Sequence, residues 1–169
     1  MTCARAIRDR SNDLDLFTIK FSRQTISVET LESIVKKSEQ ITSDEFIKNQ
    51  ILHILDAYTH LDNSEHTQSF IFSWLVLEKY LFNQWKEYLK EKKISGKRKH
   101  SLENTSNWTS HTILETMNLN GLISTKLYND LNRLRQKRNK IVHEGELTEK
   151  ENAENCFQLA KTLIVESIQ

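Results

Sequence analysis

Near the C-terminal end of the chain stands Arg138-Asn139-Lys140-Ile141-Val142-His143, an arginine followed five residues later by a histidine. With Leu127 at zero on a helical wheel advancing ~100° per residue, Leu131 falls near ~40°, Leu134 near ~340°, Ile141 near ~320° and Val142 near ~60°. Arg138 falls near ~20°, in the middle of that apolar stripe. A guanidinium does not give up its proton, so inside such a stripe it needs an anion. That anion is either a carboxylate of the same core or a phosphate admitted from outside. Asn139 and His143, spaced i to i+4, share an adjoining face with Asn132 and Gln136. Histidine's ordinary pKa of about 6.5 lets it accept and release protons near neutrality. Anion binding beside proton transfer is the chemistry this hexapeptide offers.

A carboxylate that could answer Arg138 is Glu78, embedded among Phe70, Ile71, Trp74, Leu77, Leu81 and Trp85. A lone buried carboxylate is costly or takes up a proton. Facing Arg138, it could form a bidentate pair that fixes the guanidinium; alternatively it looks outward between Trp85 and Leu89. Arg133, Arg135, Lys137 and Lys140 surround the hexapeptide, and Lys92, Lys93, Lys97, Arg98 and Lys99 form a second basic run. Such runs bind phosphates in some proteins and are plain solvated faces in others. Trp108 and Tyr128 are candidates for stacking on a base, or for the core. The other histidines (His53, His60, His66, His100, His111) lack metal-ligand spacing, and no glycine loop for phosphates occurs. No metal and no cofactor is therefore expected. His53 and His60 are expected on a solvated helix face.

These residues must be positioned by helices. The chain has 169 residues, no proline, three glycines and a formal net charge of +1. Few chain breakers favour long helices, and the charge gives no global field toward nucleic acid. Ser27 is placed to cap a short helix carrying Val28, Leu31, Ile34 and Val35. Ser43 is placed to cap the next, where Phe46, Ile47, Gln50, Ile51, Ile54, Leu55 and Tyr58 recur at helical spacing. From about Glu65 to Lys93 the pattern is apolar nearly all round at first, which suits the centre of a bundle. Residues 94–105 read as a polar loop with the basic knot Lys97-Arg98-Lys99-His100. A short helix follows over about 109–118, closed by Asn120-Gly121, then a long one over about 124–144 with Gly145 just past its end. Thr148 and Glu151 have capping-box form before a last helix carrying Ala153, Phe157, Ala160, Ile164 and Ile168.

The pattern predicts an all-α antiparallel bundle of five to six helices over residues 27–169, preceded by an extension, residues 1–26. Within that extension Leu14 to Phe21 alternates like a strand with nothing to pair with: a remnant of another module, a dimer arm, or disorder. Cys3 and Cys156 read as free thiols. With no apolar run near the roughly 18 residues of a membrane span and no secretory signal, a cytoplasmic protein is expected.

Leu131-Asn132-Arg133-Leu134-Arg135-Gln136-Lys137-Arg138-Asn139-Lys140-Ile141-Val142-His143, followed by Glu144-Gly145 and a capped helix, resembles the signature of HEPN domains. These all-α domains are marked by Arg, four to six residues, then His, often with a polar residue directly after the Arg. Phe70-Ile71-Phe72-Ser73-Trp74-Leu75-Val76-Leu77-Glu78-Lys79-Tyr80-Leu81 is similar to their central apolar helix with its embedded acidic residue. The resemblance covers about Ser43 to Gln169.

It implies a metal-independent endoribonuclease cleaving RNA through its 2′-OH, acting as a homodimer in defence or toxicity, with an antitoxin or regulatory domain to restrain it. His143 of one chain and its symmetry mate would serve as base and acid. Arg138 would stabilise the phosphate charge, and Asn139 would orient the imidazole or bind a phosphate oxygen. Glu78 would support Arg138, and Arg133, Arg135, Lys137 and Lys140 would contact RNA. Some toxins of the family carry Tyr two residues after the His; here Gly145 stands there, which leaves that adenylylation scheme without its acceptor. The competing expectations are a non-catalytic dimerisation or RNA- or nucleotide-binding module, and a purely structural bundle.

Overall fold

A helix that is apolar almost all round must be covered on every side, and one such helix organises this protein. The computed structural model describes residues 27–168; the strand-like Leu14 to Phe21 and Cys3 lie outside the described residues. The chain divides into two units, residues 1–40 and 41–169.

Of the first unit, the described part belongs to α1 (Val28–Ser43). Ser27 opens it, accepting the Thr30 N–H on its Oγ at 3.2 Å. Val28, Ile34 and Val35, which this helix carries, are exposed.

In the second unit α2 (Glu45–Asp62) is capped by Asp44, not by the expected Ser43. The Asp44 carboxylate accepts from Phe46 N and Ile47 N at 2.8 and 3.2 Å, whereas Ser43 is the last residue of the preceding helix. Both residue types cap well; the neighbour with the charge takes the position.

The central helix is α3 (His66–Glu91), which buries Phe70, Trp74, Val76, Leu77, Leu81, Trp85 and Leu89. It packs against α2, α5 (Ser110–Leu119), α6 (Thr125–Glu144) and α7 (Lys150–Ile168). Full burial of each large apolar side chain contributes roughly 1.5–3 kcal/mol, so this helix holds the bundle together. From α5 come Ile113, Leu114 and Met117, from α6 Leu131, Leu134 and Ile141, and from α7 Ala153, Phe157, Ala160, Leu163 and Ile164. The all-α bundle is thus the architecture, and no described helix is long and apolar enough to cross a membrane.

Four local expectations are corrected. Residues 94–105 are not a loop: α4 (Gly96–Glu103) occupies most of them. Leu102 is its one core-facing contribution, and its carbonyl accepts the Trp85 indole N–H at 2.9 Å. The capping box at Thr148 does not form. Its hydroxyl is buried without a partner among the described residues, while its backbone N–H donates to the Thr67 hydroxyl at 3.0 Å, tying the α6–α7 connection to the start of α3. His53 and His60 are half-buried beside Phe72 rather than fully solvated, with His60 stacked on that ring at 5.2 Å. Burial holds the His53 pKa below its ordinary value. Val142 is exposed although Ile141 beside it is buried: near ~60° on the wheel it stands at the outer edge of the stripe.

Candidate functional site

The long helix α6 presents its functional residues because both its ends are fixed. Ser124 accepts the Leu127 N–H at 3.2 Å, and Gly145 closes the helix in the left-handed region at φ +69°. Only glycine takes that conformation without a steric penalty. Between the caps, Leu131, Leu134 and Ile141 are buried against the bundle. Arg138, on the same stripe, is half-buried.

Arg138 opens into a cleft of about 630 Å³ lined by Glu78, Phe82, Thr105, Thr109, Ser110, His111, Arg135, Arg138 and Asn139. Three elements meet there: α3 supplies Glu78 and Phe82, the α4–α5 connection and first turn of α5 supply Thr105 to His111, and α6 supplies the rest. Arg138 and Glu78 share the cleft, but among the described residues neither has an ion-pair partner. The bidentate pair expected from sequence does not form. The Arg138 guanidinium has one long hydrogen bond, to Asn139 Oδ1 at 3.4 Å. Arg135 is held against its own helix by two hydrogen bonds to Asn132 Oδ1, at 2.9 and 3.2 Å.

The start of α5 adds to this electrostatic character. Thr109 is its N-cap and accepts the Thr112 N–H. The amides of Ser110 and His111, first and second in the helix, have no intrahelical acceptor. Free first-turn amides and the helix dipole favour an anion at such an end. Two guanidiniums, three hydroxyls and a helix N-terminus therefore converge on one cleft, with Glu78 the single carboxylate among its lining residues.

Beside the cleft, His111 Nδ1 lies 3.9 Å from Glu115 Oε1, one turn along α5. The Tyr128 hydroxyl of α6 donates to the same carboxylate oxygen. That bond holds the Tyr128 pKa above its ordinary value.

The remaining sequence candidates are dispersed. His143 is exposed in the last turn of α6 and does not line the cleft; five residues rotate it ~140° from Arg138. Arg133 is exposed and 3.9 Å from Asp130. Lys137 is engaged by Glu146 at 2.5 Å, and this bond holds the Glu146 carboxyl below the usual carboxylate range. Lys140 is exposed. On the wheel Arg133, Lys137 and Lys140 fall near ~240°, ~280° and ~220°, with Arg135 alone near ~80° on the cleft side. The four basic residues thus do not form one stripe. Trp108 is stacked on Trp85 at 4.8 Å, so the core reading holds for it. Among the described residues no group of three or more His, Cys, Asp or Glu is placed to hold a metal ion.

Sequence reasoning missed His111, Thr105, Thr109 and Ser110. The available signal was local: a capping threonine with serine and histidine in the first turn marks an anion-tolerant helix end. That this end faces Arg138 is a tertiary fact. Compared with known proteins, the chain matches no family model, no curated protein and no solved structure.

Proposed function

We propose that the chain is a HEPN-type endoribonuclease that cleaves RNA through its own 2′-OH, acts as a homodimer, and serves as a defence or toxin-type effector under the restraint of an antitoxin or regulatory domain. The observation that carries this reading is the half-buried Arg138 guanidinium, without a carboxylate partner among the described residues, in a cleft that also holds Arg135, Asn139 and the N-terminus of α5. A guanidinium in that setting is poised for an anion from outside, and a phosphodiester supplies one.

In the reaction, the 2′-oxygen loses its proton to an imidazole as it bonds to phosphorus. The bond from phosphorus to the 5′-oxygen breaks, and that oxygen takes a proton from a second donor. A 2′,3′-cyclic phosphate and a 5′-hydroxyl result. Arg138 stabilises the charge growing on the non-bridging oxygens, where preorganised donors contribute most. Asn139 binds one of these oxygens or orients His143, one turn further along α6. His143 exchanges one of the two protons.

The test is cleavage of single-stranded RNA by purified protein in EDTA, with end-group analysis. Cyclic-phosphate ends are expected, and His143→Ala is expected to keep the fold and lose cleavage; a variant that cuts as well as the parent overturns the reading. A second reading, a non-catalytic HEPN dimerisation or RNA- or nucleotide-binding module, is favoured by one observation: His143 stands outside the cleft. It requires tight RNA binding without cleavage in parent and variant alike.

A further inference from the structure

The reaction needs two proton-exchanging groups at one phosphate, and α6 brings neither a second imidazole nor His143 itself into the Arg138 cleft. We infer that His111 is the second imidazole, supplied by the same chain from the first turn of α5. This deepens the ribonuclease reading and rests on it.

Placement comes first. His111 lines the cleft together with Arg135, Arg138 and Asn139, while remaining open enough to solvent to exchange protons. Its neighbours Thr109 and Ser110 belong to the helix end that favours a phosphate, so a phosphodiester held there lies beside the ring. A histidine aimed elsewhere on α5 would have no such neighbour.

Orientation follows. The i to i+4 spacing sets Glu115 on the same face of α5, 3.9 Å from His111 Nδ1. Glu115 is in turn fixed by the Tyr128 hydroxyl reaching across from α6. At 3.9 Å Nδ1 faces this carboxylate without a hydrogen bond to it, and Nε2 is the nitrogen left for the substrate. The charged and titratable groups around the ring are Glu115 on α5, Tyr128, Arg135 and Arg138 on α6, and Glu78 on α3.

The proton balance closes with two imidazoles. One takes the 2′-oxygen proton as the new bond to phosphorus forms, and the other gives its proton to the departing 5′-oxygen. His111 is one of the pair; because His143 of the same chain stands outside the cleft, the other is the His143 that a second copy of the chain brings to it.

The test compares full-length parent, His111→Gln and His143→Ala on single-stranded RNA in EDTA. Binding is followed with a strand carrying 2′-deoxyribose at the cut site. His111→Gln is expected to lose roughly 10²–10⁴-fold in cleavage, the usual range for a general acid or base, with binding and melting temperature unchanged. The parent's bell-shaped pH–rate profile is expected to lose one limb. Parental cleavage by His111→Gln beside an inactive His143→Ala overturns the inference and leaves the ribonuclease reading standing. So does a loss of binding equal to the loss of cleavage, which would make His111 an anchor. A parent that does not cut RNA at all overturns both.

Discussion

Glu78 and Arg138 reach the same cleft from α3 and α6, yet no ion pair joins them. The guanidinium is therefore kept for something other than holding the two helices together. Arg138→Leu is expected to melt at the parental temperature or a few degrees above it, because a half-buried charge is replaced by an apolar group of the surrounding stripe. Oligonucleotide affinity and cleavage should be lost in the same protein. A pairing role would produce the opposite melting result.

Glu78→Gln removes the one carboxylate of the cleft lining without changing its shape. Affinity for a short RNA should rise, most clearly at low salt, where charge terms are least screened. Titration by fluorescence anisotropy at two salt concentrations measures it; weaker binding would show that Glu78 orients a phosphate ligand instead of opposing it.

Gln50 is buried in α2 with both amide atoms lacking a hydrogen-bond partner among the described residues. Leaving a polar group unsatisfied in the interior costs about 1–3 kcal/mol. Gln50→Leu is therefore expected to stabilise by ~1–2 kcal/mol, read in a urea melt as a higher midpoint with an unchanged slope.

Trp108 stacks on Trp85 with the rings 19° from parallel, and the Trp85 indole holds the Leu102 carbonyl. Trp108→Ala is expected to cost ~2–4 kcal/mol, somewhat below the range for a fully buried ring. Tryptophan fluorescence and a thermal melt report it.

Lys137 and Glu146 link α6 to the connection that follows it. The carboxyl is depressed in the folded state, first by the Lys137 hydrogen bond. Its stabilising contribution is thus complete above the ordinary carboxyl value of 4.5 and fades as pH falls through the lower folded value. Lys137→Met should lower the melting temperature slightly at pH 7, and the difference from the parent should vanish in strong acid. Both groups meet solvent, so the effect is small.

Periodicity made the bundle legible where burial is one-sided or complete. Phe70 to Leu81 announced the centre, and Leu131, Leu134 and Ile141 the buried stripe of α6. Helix α4 was not legible because Leu102 is its one apolar core contact, and one residue has no period. Thr148 failed as a cap because its N–H and hydroxyl are drawn into the bundle by Thr67 and burial, which no local motif encodes. At the site, Arg138 was legible as a charge among leucines. His111 was not, since its meaning depends on which helix faces the start of α5.

Thr109 lies on the wall of the cleft, and its immediate chain neighbour Trp108 is wedged against Trp85 on the other side. The hydroxyls of that wall consequently hang from an aromatic bracket. Loosening that bracket from behind would slacken the wall in front, so substitutions that never meet a ligand would still register in how firmly one is gripped.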